Sequence, residues 1–456
     1  MINLKDIKRI YFLGIGGIGM SALARYFYLH GKSVSGYDKT RTVLTAALED
    51  EGIFITYEDN LDTLDKQADL IIYTPAIPKD HIQYNWFLEN NYTLLKRAQV
   101  LGLAANEKFN ISIAGSHGKT SVSSITAHIL KTGNKDVAAF LGGICINFNS
   151  NFIDGIDYAV VEADEFDRSF LSLEPNIALI TSVDTDHLDV YGNLEAIEDS
   201  FRQFCDKIRE GGLLIRNSRV NDSIQNTNVR NLQYSIDNTS ADYHIKNLEI
   251  QSGAYSFDVQ HPDGVLAGVK SYYGGRHNIE NALGAIAIAL QTGVSEVAIK
   301  EAVASFKGVK RRFETHVRSN SIVYIDDYAH HPRELDATIS SIKELYPGRS
   351  LTVIFQPHLF SRTKDLCQEF ALSLSNSDSL ILLDIYPARE KPIEGVSSKI
   401  IFDAVTITDK IMARKEQITE LLSSRENLDI VLTVGAGDID TKVGEIATLL
   451  KSRIKS

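Results

Sequence analysis

Cysteine is scarce in this chain and never closely paired. Only Cys145, Cys205 and Cys367 occur in 456 residues, an odd number at wide spacing with no CxxC. That excludes a disulfide framework and a zinc ribbon and leaves reduced thiols. Proline is also rare, at 9 residues, and no low-complexity tract, short repeat or heptad pattern interrupts the sequence. Positive charge is in deficit: 47 Lys plus Arg stand against 59 Asp plus Glu, a formal net charge of −12. A generic nucleic-acid partner needs a dense cationic face and is disfavoured, whereas small anions held by backbone amides are not excluded. No stretch approaches the roughly 18 apolar residues of a membrane span. Residues 1–9 carry Asp6 among lysines and run into a glycine-punctuated strand, not into the apolar core of a leader. The expectation is a soluble cytoplasmic protein with no membrane partner.

The length suggests about three domains. Short apolar runs alternate with helical patterns, as βαβ units require, so the fold class is α/β. Strands are expected at Arg9–Leu13, Ser33–Tyr37 and Leu70–Tyr73, with a helix over residues 19–30. A second series starts at Phe109–Ala114 and includes Tyr158–Glu162 and residues 177–183, before a polar stretch at 216–247 that reads as short strands and loops. Helices are expected over 278–290 and 294–306, then strands at 322–325, Leu351–Phe355, 380–383 and Ile430–Val434. The domain boundaries read as 1–106, 107–312 and 313–456.

The sharpest motif is Gly115-Ser116-His117-Gly118-Lys119-Thr120-Ser121, set between a strand and a helix over 120–130. Glycines let amides turn inward on a polyphosphate, the helix N-terminus adds positive potential, Lys119 can reach β/γ oxygens and the Thr120 hydroxyl can hold Mg²⁺. Two residues separate its glycines where the usual P-loop has four. The strand before Glu162-Ala163-Asp164-Glu165 ends in carboxylates, and Glu162 is the candidate for meeting a nucleotide-bound metal. Residues 177–183 lead into Asp184-Thr185-Asp186-His187, which adds an imidazole at the same sheet edge.

Near the N-terminus, Gly14-Ile15-Gly16-Gly17-Ile18-Gly19 opens a helix, and Asp38 follows the next strand at the spacing of a dinucleotide fingerprint. A glycine turn at a helix N-terminus accepts any diphosphate, and an acid after the second strand accepts any ribose hydroxyl, so the motif leaves the base open. Three polar clusters follow strands in the last third: Asp326 to Pro332, Gln356 to Arg362 and Asp384 to Lys391. Open sheets place ligands at such strand ends. The pair His330-His331 reads as an extended turn before Pro332, with diverging side chains, in preference to a metal site.

Taken together, these residues resemble the Mur ligase family, and within it the branch that adds L-alanine. The resemblance spans nearly the whole chain and rests on Gly14 to Ser21, Gly115 to Ser121, Glu162 to Asp167, Asp184 to His187, Gly275 to Asn281, Lys310 to Glu314, Tyr328 to Pro332 and Asp384 to Pro387. It implies a Rossmann-like N-terminal domain for the UDP part of the substrate. It further implies a central P-loop ATPase-like mixed sheet and a C-terminal Rossmann-like domain that closes over the site. The implied reaction has ATP phosphorylate the lactyl carboxylate of UDP-N-acetylmuramate, after which L-alanine attacks the acyl phosphate. Thr120 and Glu162 resemble ligands of the ATP-bound Mg²⁺, and Glu162 and His187 those of a second Mg²⁺, with Mn²⁺ as an alternative ion. Asn281 resembles the adenine contact, and Arg312 and Asp327 the contacts to phosphate and ribose. Gly16, Gly17 and Asp38 would serve the UDP moiety, and His358 and Arg362 the reaction centre or the amino acid. A monomer or weak homodimer is expected.

Four residues at three places depart from relatives. Arg202 stands where many carry a carbamylated lysine, Leu359 where some carry arginine, and Thr74-Pro75 where a serine pair is common. Two other readings remain: a ligase of the same superfamily that joins a recycled tripeptide to the same sugar nucleotide, and an NAD-dependent oxidoreductase. The second explains Gly14 to Asp38 but leaves Lys119, Thr120 and Glu162 without a role.

Overall fold

Short, apolar segments that are buried along their whole length set the architecture, because a parallel strand covered by helices on both faces has no solvent side to alternate with. In the computed structural model, which describes residues 2–184, 191–251, 253–388 and 390–454, such strands form the centres of three sheets, with partly exposed strands such as Tyr243–Gln251 and Gly264–Ser271 toward an edge. The chain divides into two units. The first comprises Met1–Leu248, Phe257–Lys270 and Glu280–Phe306, and the second Glu249–Ser256, Ser271–Ile279 and Lys307–Ser456. The α/β class is as expected from the sequence.

The first sheet is built from β1 (Arg9–Leu13), β2 (Ser33–Tyr37), β3 (Phe54–Thr56), β4 (Leu70–Tyr73) and β5 (Leu94–Lys96). All five are parallel in the order β3-β2-β1-β4-β5. The order reverses beside β1, so the turn leaving β1 lies at the switch point where open sheets bind ligands.

The second sheet uses β6 (Phe109–Ala114), β7 (Val137–Cys145), β8 (Ser150–Ile153), β9 (Tyr158–Glu162), β10 (Ile177–Ile180), β11 (Leu213–Asn217), β12 (Arg230–Ser235), β13 (Tyr243–Gln251), β14 (Ala254–His261) and β15 (Gly264–Ser271). Their order is β15-β14-β13-β12-β11-β10-β6-β9-β7-β8, which places β6 between β10 and β9. This sheet departs from the sequence expectation in β14 and β15, which lie beyond the stretch read as short strands, and in two further features. β10 stops at Ile180, because Thr181 and Ser182 turn their hydrogen bonds toward the loop after β6. The strand β7 and its antiparallel partner β8 were not anticipated, since β7 is rich in Ala and Gly and lacks the β-branched signature of a strand.

In the second unit, β16 (Glu314–Arg318), β17 (Val323–Asp327), β18 (Leu351–Phe355), β19 (Ser379–Leu383), β20 (Lys410–Ala413) and β21 (Ile430–Val434) form a sheet ordered β16-β17-β21-β18-β19-β20. Only the β16–β17 pairing is antiparallel. The last strand thus inserts between β17 and β18, and the carboxyl ends of these three lie side by side. Among the described residues, no helix is long and apolar enough to cross a membrane.

A buried polar cluster joins the helix Ile18–Leu29, which covers the first sheet, to β8 of the second. Asn151 is fully buried; its amide nitrogen donates to Ile18 O at 2.5 Å and Ser21 Oγ at 2.9 Å, and its oxygen accepts from Arg25. Arg25 is itself buried and ion-paired with Glu51 at 2.6 Å. Replacing Asn151 with Ala strips the guanidinium of one partner inside the protein, which should cost about 2–4 kcal/mol. Urea unfolding checks this; a loss below about 0.5 kcal/mol would show that the cluster does not tie the two layers.

Candidate active site

The loop after β6 turns through two glycines. Gly115 has φ +131° and Gly118 φ +83°, left-handed conformations that other residues adopt only with strain, and Gly118 caps the helix Lys119–Thr132. A Cβ on Gly115 would lie 2.1 Å from Thr181 Oγ1, and one on Gly118 would lie 2.6 Å from Asn281 Oδ1. The glycines therefore serve two ends at once, backbone conformation and close approach. Ser182 holds the loop by accepting the amides of Ser116 at 3.0 Å and of His117, through its hydroxyl, at 3.1 Å. The first-turn amides of the following helix have no intrahelical acceptor, which makes this end a ready anion site.

Glu162, at the end of β9, sits directly beside this loop. Its Oε1 accepts from Thr120 Oγ1 at 3.1 Å and its Oε2 from the Gly142 amide at 2.9 Å. A side chain at position 142 would lie 2.3 Å from the carboxylate, so β7 can approach only as glycine. The hydroxyl and the carboxylate together offer an all-oxygen donor set, which suits a hard cation such as Mg²⁺. Lys119 Nζ donates to Gly115 O at 2.6 Å and to both carboxylate oxygens of Glu165, at 2.7 and 2.9 Å. Ser121 is buried in the first turn of the helix. The structure brings Gly115 to Ser121, Glu162 and Asn281 to one place, while His187 lies outside the described residues. Arg202 lies on the helix Leu194–Asp206, within 3.9 Å of Glu198 and 3.7 Å of Asp199 on its own helix.

The N-terminal glycine turn has a different internal logic. Gly16 donates its amide to Asp38 Oδ2 at 2.8 Å, and the other carboxylate oxygen accepts from Thr40 at 3.1 Å. Asp38 therefore braces the turn, while Gly17 caps the helix Ile18–Leu29. Arg97 lies against the first turn of that helix, where a Cβ on Gly19 would meet its guanidinium at 2.4 Å, and it pairs with Asp164 at 3.3 Å. Arg97, Glu162 and Asp164 line a small cleft with Leu101 and Phe170.

In the second unit, Asp327 accepts the Phe313 and Ala329 amides, each at 2.7 Å, and Arg312 is exposed with its carbonyl accepting from Tyr273. The neighbouring Arg311 donates to the carbonyls of Gly435, at 2.5 Å, and Gly437, at 3.3 Å, in a glycine loop after β21. Glu314, His316 and Asp326 each place a ligand atom within 4.8 Å of the others, but Arg311 Nε lies 3.4 Å from Asp326 and supplies the positive charge there. His358 stacks on Tyr386 at 5.9 Å, with His330 at 6.1 Å and Arg362 at 3.4 Å. Burial, then Arg362 and His330, hold the His358 imidazole below its usual range, which favours the neutral ring. His331 caps the helix Pro332–Leu345, so the extended residue before Pro332 is a helix start. Leu359 adopts φ +70°, a strained conformation for leucine.

The sequence reading assigned no role to Glu165, Gly142, Arg97, Ser182 or the loop Gly435-Ala436-Gly437. A glycine pair closing an apolar strand was the available signal for the last; the others act through contacts between distant segments.

Parallel-rich open sheets with glycine turns at their carboxyl ends define a multidomain α/β protein of nucleotide-binding architecture. Three family profiles match: "Mur ligase family, catalytic domain" over residues 9–109, "Mur ligase middle domain" over 113–289 and "Mur ligase, glutamate ligase domain" over 311–437. The chain belongs to the Mur ligase family. It is 47% identical over 458 residues to a UDP-N-acetylmuramate–L-alanine ligase of Flavobacterium psychrophilum, covering 99% of both chains. It is 45% identical over 462 residues to the protein of that name from Parabacteroides distasonis, covering all of both. The crystal structure of a UDP-N-acetylmuramate-alanine ligase from Thermotoga maritima is similar at TM-score 0.84 and 27% identity, over 98% of this chain and 100% of that one. A murein peptide ligase from Psychrobacter arcticus shares the fold at TM-score 0.67 and 23% identity, over 97% and 98%.

Removing the Arg362 charge should raise the His358 titration midpoint, because a nearby cation disfavours imidazolium. NMR titration of Arg362→Gln checks this; an unchanged midpoint would show that the guanidinium does not act on the ring.

Proposed function

We propose that this protein ligates L-alanine to the lactyl carboxylate of UDP-N-acetylmuramate at the expense of ATP, giving ADP and phosphate, in peptidoglycan precursor synthesis. The observation that carries it is the full-length 47% identity to a ligase of that name. A carboxylate is a poor electrophile until one oxygen becomes a good leaving group. Its oxygen attacks the γ-phosphorus, ADP departs, and the alanine amine then attacks the acyl carbon, losing a proton as phosphate leaves with the former carboxylate oxygen.

Two anions must meet in the first step, so catalysis is mainly positioning and charge neutralisation. Lys119 and the first-turn amides of the helix Lys119–Thr132 serve the phosphates, with Ser116, His117 and Ser121 shaping the loop. Thr120 and Glu162 would hold Mg²⁺, which supplies Lewis-acid stabilisation of the phosphoryl oxygens. A second Mg²⁺ held by Glu162 and His187 belongs to the same reading, with Mn²⁺ as a substitute. We assign Gly16, Gly17 and Asp38 to the UDP moiety, Asn281 to adenine, and Arg312 and Asp327 to the nucleotide's phosphate and ribose. Arg362 suits the amino-acid carboxylate, since a guanidinium can bind it bidentately, with neutral His358 beside it. Residues 1–106, 107–312 and 313–456 are read as the sugar-nucleotide, ATP and ligase domains of a cytoplasmic monomer or weak homodimer.

Phosphate release from Mg²⁺-ATP with UDP-N-acetylmuramate should be strongest with L-alanine among L-alanine, glycine, L-serine and the stem tripeptide, with product mass agreeing. Turnover with tripeptide alone would move the protein to the recycling branch. Lys119→Ala should abolish turnover and leave UDP-sugar binding intact; retained turnover would overturn the phosphate assignment.

A further inference from the structure

The Glu165 carboxylate has no place in the chemistry above, yet it is the most deeply buried acid next to the phosphate loop. Its side chain is 2% exposed and that of Lys119 13%. The ammonium has three N–H groups, and three oxygens receive them: Gly115 O at 2.6 Å and Glu165 Oε2 and Oε1 at 2.7 and 2.9 Å. Glu165 is itself fixed, because the Tyr191 hydroxyl donates to its backbone carbonyl. The chain then passes through two successive left-handed residues, Asp167 at φ 53° and Arg168 at φ 55°, neither of them glycine. Such strain persists only where the surroundings over-determine it, and it clusters at functional sites.

We infer that Glu165 is the positioning residue of Lys119 and stays paired with it when ATP binds. The two possible losses differ in cost. A phosphate oxygen must take one of the three N–H groups. Surrendering the Gly115 carbonyl frees a neutral acceptor at the mouth of the loop. Surrendering Glu165 strands an ionised carboxylate away from water, which is far more costly. The carboxylate therefore keeps two N–H groups and aims the third at the phosphates, converting a flexible four-carbon stem into a fixed donor. The same negative charge opposes the triphosphate in the ground state, so Glu165 weakens ATP binding while improving the alignment of the cation.

This rests on the ligase reading, and the test separates the two. ATP affinity of wild type, Glu165→Gln, Glu165→Ala and Glu165→Asp is measured by titration calorimetry, alongside kcat and KM for ATP, normalised to folded protein by UDP-sugar binding. The expected result is ATP binding by Glu165→Gln that equals or exceeds wild type, with kcat about 10–100-fold lower in Glu165→Ala and partly restored in Glu165→Asp. ATP binding weakened in Glu165→Gln, or kcat unchanged in folded Glu165→Ala, would overturn the proposal. Wild type that binds ATP but ligates nothing would overturn the ligase reading, and the affinity comparison would still decide whether Glu165 opposes the triphosphate.

Discussion

One carboxylate ties together the parts of the first unit on which the proposed chemistry depends. Glu162 ends β9, accepts the Gly142 amide from β7 and accepts the Thr120 hydroxyl from the helix that follows the glycine loop after β6. Three elements distant in sequence are thereby fixed to one another within a few ångströms. Both of its partners are neutral donors, so the charge of the carboxylate is satisfied without being cancelled and remains available to a cation. The arrangement also explains why β7 needs glycine at position 142: any side chain there would displace the acid.

Charge is distributed by the same logic elsewhere. An acidic chain that must handle anionic substrates carries its cations in fixed settings. Lys119 lies on Glu165, Arg97 on Asp164, and Arg311 between Asp326 and two glycine carbonyls. Each long cationic side chain is held near one geometry before a ligand arrives, which lowers the ordering cost of the bound state. Arg202 illustrates the contrast. Its guanidinium faces acids of its own helix, so its surroundings are those of an ordinary surface ion pair.

Much of this was legible in the sequence wherever the signal was local. β1, β2, β4, β6, β9, β18 and β21 have the bounds expected of them, because short apolar runs closed by glycine or acid admit few alternatives. The position of the glycine loop after β6 and of Glu162 was legible for the same reason, since both lie at strand ends. What escaped was non-local. β7 is a strand because β9 and β8 pair with it, not because of its small residues. Asp38 braces the Gly16 amide, a contact between residues 22 positions apart. Glu165 was visible in the acidic run, but only the folded chain brings it to Lys119, 46 residues away.

Direct transfer of the γ-phosphoryl group to the lactyl carboxylate is the step on which the proposed chemistry turns. UDP-N-acetylmuramate labelled with ¹⁸O in that carboxylate, incubated with Mg²⁺-ATP and L-alanine, tests it by mass analysis of the released phosphate. Each phosphate should carry one carboxylate-derived oxygen. Amide product accompanied by unlabelled phosphate would contradict it.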